Sequence, residues 1–83
     1  MAKKVWTFEV KGQHHVVELE HSYWSARGHI VVDGVPLYSG CLYDKVHHFD
    51  IAGVPCVLRV KAKTFGFFDY ELFVDRKKIE RSA

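Results

Sequence analysis

The stretch His29-Ile30-Val31-Val32-Asp33-Gly34-Val35-Pro36-Leu37-Tyr38 decides the fold. A β-branched run meets Asp-Gly, the pair that supplies positive φ at both centres of a type I′ turn. The chain must therefore reverse on itself as a hairpin. Pro36 has no N–H to give to a ladder, so the return strand, residues 35–38, belongs at a sheet edge or a bulge. Ser39-Gly40 is read as its end.

The same period-2 pattern extends in both directions. Upstream, Val5-Trp6-Thr7-Phe8-Glu9-Val10 places Trp6, Phe8 and Val10 on one face. Lys11-Gly12 is a turn. His15, Val17, Leu19 and His21 then share a face, with Val16, Glu18 and Glu20 opposite. Residues 22–28 read as a loop. Downstream, residues 45–51 form a strand and Ala52-Gly53-Val54-Pro55 a turn. Residues 56–62 alternate again, and Phe68, Tyr70, Leu72 and Val74 line one face of a long strand. Residues 75–78 are a turn and 79–81 a short last strand. No window carries helical periodicity with caps. The expectation is an all-β chain, an antiparallel β-sandwich of seven to eight short strands, built as one domain over residues 1–83.

The bulk numbers agree. The 83 residues are 48% hydrophobic and 14% aromatic, enough for a small packed core and too apolar for disorder. The net charge of +2 and a pI near 8.6 require neither nucleic acid nor an anionic surface as partner. Arg76-Lys77-Lys78 is read as a solvated turn. No apolar run approaches the ~20 residues of a membrane-crossing helix. No secretory leader is visible, so a cytoplasmic location with Cys41 and Cys56 reduced is expected. Cys56 sits in an apolar strand and reads as core, while Cys41, beside Gly40, reads as exposed. Whether the two could pair stays open.

Taken in order, several of these pieces resemble the Fas apoptotic inhibitory molecule (FAIM) family. They are Val5-Trp6, Val17-Glu18-Leu19-Glu20-His21, Val31-Val32-Asp33-Gly34, His48-Phe49-Asp50-Ile51-Ala52-Gly53, Tyr70-Glu71-Leu72-Phe73-Val74-Asp75 and Lys77-Lys78-Ile79. The resemblance implies a compact antiparallel β-sandwich. It also implies a non-catalytic protein-interaction role, with no catalytic residues to carry over. Animal members hold two such units in tandem and this chain has length for one, so the resemblance implies pairing as a homodimer.

His14, His15, His21, His29, His47 and His48 include two adjacent pairs, but neighbours on a strand point to opposite faces. His15 and His21 share a face about 20 Å apart, too far for one ion. Partly exposed histidines without a metal are expected, and no cofactor. Cysteines, histidines and Asp50 supply parts of a nucleophilic site, but no elbow or oxyanion loop accompanies them, so no enzyme is expected.

Two segments are candidate interaction sites. Lys63-Thr64-Phe65-Gly66-Phe67-Phe68-Asp69-Tyr70 approximates the aromatic strand of RNA-recognition domains. In that reading Phe65 and Phe67 stack bases on one sheet face, with Lys61 and Lys63 nearby. The preferred reading puts a turn at Phe65-Gly66 and Phe68, Tyr70 and Leu72 in the core. Tyr23 and Trp24 lie in a loop, as interface anchors or, the reading slightly favoured, as a lid over an open end of the sandwich. The function expected is therefore binding of a protein partner. The alternatives are single-stranded nucleic-acid binding and carriage of a small ligand between the sheets.

Overall fold

The computed structural model describes residues 2–22, 24–64 and 67–82. It contains eight strands: β1 (Ala2–Val10), β2 (Gln13–His21), β3 (Arg27–Val32), β4 (Val35–Cys41), β5 (Val46–Ile51), β6 (Val54–Ala62), β7 (Phe68–Val74) and β8 (Lys77–Ile79). They form two antiparallel sheets, ordered β1-β2-β3-β4 and β5-β6-β7-β8. Each sheet is a plain meander of sequential neighbours. Among the described residues there is no α-helix, and no helix is long and apolar enough to cross a membrane.

The alternation read from sequence selects the inner faces. Trp6, Phe8, Val10, Val17, Leu19 and Ile30 come from the first sheet. Ile51, Cys56, Leu58, Val60, Leu72 and Val74 come from the second, and Leu42, from the crossing loop, joins the same cluster. Trp6, Leu19, Ile30, Leu42, Leu58 and Leu72 have no solvent exposure, so bulky side chains fill the gap a ligand carrier would keep open. The surface depressions have charged rims instead. One is bordered by Glu9, Lys11, Asp75 and Lys77, and another by Lys4, Glu80 and Arg81.

Four of the six hairpins turn on two residues with positive φ: Lys11-Gly12, Asp33-Gly34, Ala52-Gly53 and Asp75-Arg76. This is the type I′ geometry whose twist matches the flanking strands. Two turns are thus shorter than the sequence reading. Val54 and Pro55 open β6, and Lys77 and Lys78 belong to β8. Pro55 fits near the start of an inner strand because the β6–β7 ladder begins one residue later, at Cys56 and Val74.

Pro36 sits on edge strand β4 beside a bulge, where Ile30 faces Tyr38 but Val31 faces Pro36. The expected break at Ser39-Gly40 does not occur, and β4 runs on to Cys41. Gly40 pairs with Gly28 of β3. It holds φ +148°, and a Cβ there would meet the Tyr38 hydroxyl at 2.9 Å. The glycine lets the strand continue through a tight spot. The last expected strand is also displaced: after β8 the chain crosses to the other sheet, where the Ser82 N–H donates to the Val5 carbonyl at 2.8 Å.

Candidate interaction surface

Three connections longer than two residues join the strands: residues 22–26, 42–45 and 63–67. Short contacts gather them at one end of the sandwich. The Leu42 N–H donates to the Ala26 carbonyl at 2.8 Å, tying the second loop to the first. The Ala62 N–H donates to Asp44 Oδ1 at 3.2 Å, tying the second to the start of the third. Tyr43 meets Phe68 edge-on at 5.8 Å, and Phe68 meets His21 edge-on at 4.5 Å.

The first and third loops each have their own frame. In the first, the Ser22 N–H donates to the Arg27 carbonyl at 2.8 Å and the Ala26 N–H to the Ser22 carbonyl at 3.0 Å. Ala26 takes positive φ to close the reversal. Trp24, at 99% exposure, stands out from this closed loop into solvent. The lid expected of Trp24 is therefore absent, its indole standing in solvent. In the third loop the Lys63 N–H donates to the Phe67 carbonyl at 2.8 Å. Phe67 is 64% exposed and Tyr43 56%. These three are the exposed large aromatics among the described residues, and all lie on the loops of this end. Tyr43 had no sequence signal beyond its loop position. Tyr23 and Phe65, also expected here, lie outside the described residues, as does the turn expected at Phe65-Gly66.

Phe67 precedes β7 and is not part of it. The aromatic alternation along a strand that base stacking requires is therefore not built at this position. Lys61 is exposed on β6, opposite Asp69. Lys63 is bound to Asp69, Nζ to Oδ2 at 2.8 Å. That hydrogen bond chiefly holds the Asp69 carboxyl below its usual range, with the charges of Lys63, Lys61 and Lys78 adding to it. Part of the local positive charge is thus already neutralised. Phe68, Tyr70 and Leu72 do face the core.

Beneath the loops lies His21, with no solvent exposure. The other five histidines are half-buried or exposed as expected, and His21 departs from that expectation because the period-2 pattern that buries Val17 and Leu19 buries it too. Its Nδ1 is 2.8 Å from the Tyr70 hydroxyl, which bridges the two sheets, while Nε2 lacks a hydrogen-bond partner. Burial pushes its pKa down, opposed in part by the Ala26 backbone. His15 is bound at 2.6 Å to Asp33, whose other oxygen accepts the Val16 N–H at 2.7 Å, so this pair braces the Asp-Gly turn. Among the described residues no three His, Cys, Asp or Glu side chains gather where they could hold a metal. Cys41 and Cys56 are free thiols, one exposed and one buried. Burial pushes the Cys56 thiol up, which keeps it protonated and unreactive.

A family model described as Fas apoptotic inhibitory molecule (FAIM1) matches residues 2–82. The comparisons with curated proteins and with solved structures each gave no match.

Proposed function

The chain belongs to the Fas apoptotic inhibitory molecule family, and from that premise we propose that it is a non-catalytic protein-interaction unit. Its loop end is the docking surface, and the unit pairs with itself. One observation carries the docking surface: Trp24, Tyr43 and Phe67 are exposed together at one end of an otherwise well-filled sandwich. Large aromatics are costly to leave in water and are the side chains most enriched as anchors in protein interfaces. Loops held by their own hydrogen bonds present such anchors at low ordering cost. Two unpaired cysteines fit work in a reducing compartment such as the cytoplasm.

The rival class is single-stranded nucleic acid, and salt separates the two. Binding through phosphates releases counterions, so its affinity falls steeply as salt rises. Trp24 is exposed and Trp6 buried, so fluorescence changes on titration report chiefly on the loop end. Titration with single-stranded RNA and DNA at low salt is expected to give no saturable change. Saturable binding that collapses toward physiological salt and is lost in Phe67→Ala would replace the protein reading with the nucleic-acid one.

A further inference from the structure

A β-sandwich of two open sheets has four edge strands, and each edge offers unpaired backbone groups to any passing strand. Three edges here carry a protective device. On β1 the Val5 carbonyl accepts the Ser82 N–H at 2.8 Å, and the Thr7 N–H donates to Ser82 Oγ at 3.2 Å. β8 is three residues long. β4 is broken by its bulge and by Pro36. The fourth edge, β5, is a plain six-residue strand.

The register shows which groups β5 leaves free. The Lys45 carbonyl accepts the Val60 N–H, and the hairpin closes on Ile51 and Val54. By antiparallel alternation the odd-numbered residues bond β6, and Val46, His48 and Asp50 direct their N–H and C=O groups outward. Among the described residues no hydrogen bond meets them. Their side chains are exposed, whereas His47 and Phe49 are half-buried and His47 stacks on Tyr38 at 4.4 Å.

We infer that β5 is the site at which a second copy of this chain adds, antiparallel and across a two-fold axis, with Phe49 facing Phe49 of that copy. This inference rests on the self-pairing proposed above and names its surface. A two-fold interface must be self-complementary. With Phe49 on the axis, His48 of each copy lies directly opposite Asp50 of the other. An imidazole N–H then faces a carboxylate twice, on the outer face of the joined sheet. These two pairs are the backbone-bonded ones, giving about four N–H···O bonds across the seam. The phenyl rings meet at the close, non-bonded position between them, where cross-strand contact is tightest. A foreign strand would have to match an Asp and a His at this spacing, so the same charges that favour a second copy disfavour other edges. The loop end stays exposed in the pair.

Sedimentation equilibrium of the full chain tests the assignment, with wild type, His48→Asp and the exchange His48→Asp/Asp50→His. Both side chains are exposed, and circular dichroism checks that each variant keeps its fold. The expected result is a wild-type species of twice 9.6 kDa. His48→Asp, which sets two carboxylates against two others, raises the dimer dissociation constant by about tenfold or more. The exchange restores it. A wild-type chain that stays monomeric at high concentration overturns both the self-pairing and this edge. A dimer indifferent to His48→Asp overturns the edge and leaves the self-pairing standing.

Discussion

His21 couples the two sheets beneath the loop end, and its environment sets how the fold responds to acid. Burial holds its pKa below the ordinary 6.5, with the Ala26 backbone opposing in part. As pH falls, the unfolded chain takes up this proton first. The stability that His21 contributes is therefore complete above about pH 6.5 and is lost progressively below it. His47 acts in the same direction, lowered by burial first and then by Lys45 and His48. Asp33, held low chiefly by its hydrogen bond from His15, matters only at much more acid pH. Melting temperature followed against pH is expected to stay level above neutrality and to fall below about pH 6.5. His21→Gln, which keeps a hydrogen-bonding group toward Tyr70, should show a shallower fall. Equal slopes in the two proteins would rule out His21 as the group. The burial of His21 was readable from its period-2 partners Val17 and Leu19. Its hydroxyl partner was not, because Tyr70 is 49 residues away and no local pattern marks the pair.

At the level of elements, the four two-residue hairpins share one turn geometry while their sequences differ. Asp33-Gly34 announces itself, since both residues tolerate positive φ. Asp75-Arg76 does not, because Arg76 at φ +68° occupies a region that costs a side-chain-bearing residue about 1–2 kcal/mol. This is why residues 75–78 read as a longer turn. Arg76→Gly is expected to stabilise the fold by about 1 kcal/mol, a rise in melting temperature of about 4–8 °C for a domain of this size. No rise, or a fall, would mean that the Arg76 side chain makes a contact worth more than the backbone strain. Gly28 and Gly40 misled the sequence reading in the opposite sense. They looked like loop and break, yet they pair within β3–β4, and a Cβ on Gly28 would overlap the Glu20 carbonyl. A glycine required by close backbone approach and one required by a turn look the same in sequence.

At the level of the whole molecule, strand content and inner faces follow from alternation, which is local. The division into two four-strand meanders does not, because it depends on whether β4 pairs with β5 or passes to the other sheet. Leu42-Tyr43-Asp44-Lys45 makes that crossing, with Leu42 driven into the core and Tyr43 left outside. The candidate surface was legible in part for the same reason. Trp24 stood out as an aromatic in a loop and Phe67 as a candidate base-stacking residue on a strand, whereas Tyr43 joins them only because the crossing brings its loop to their end. Lys61 and Lys63 were read as the lysines beside the candidate stacking aromatics, and the cross-strand register places Asp69 among them. The loop end is proposed to dock a protein. The most direct test is affinity capture from a cell extract with wild type and Trp24→Ala side by side, bound proteins being quantified by mass spectrometry. Trp24 is 99% exposed, so the variant should melt with wild type. The expected result is a defined set of proteins retained by wild type at both ~0.15 and ~0.5 M salt and reduced about tenfold or more by Trp24→Ala. Identical capture by the two proteins, with the variant fully folded, would contradict it.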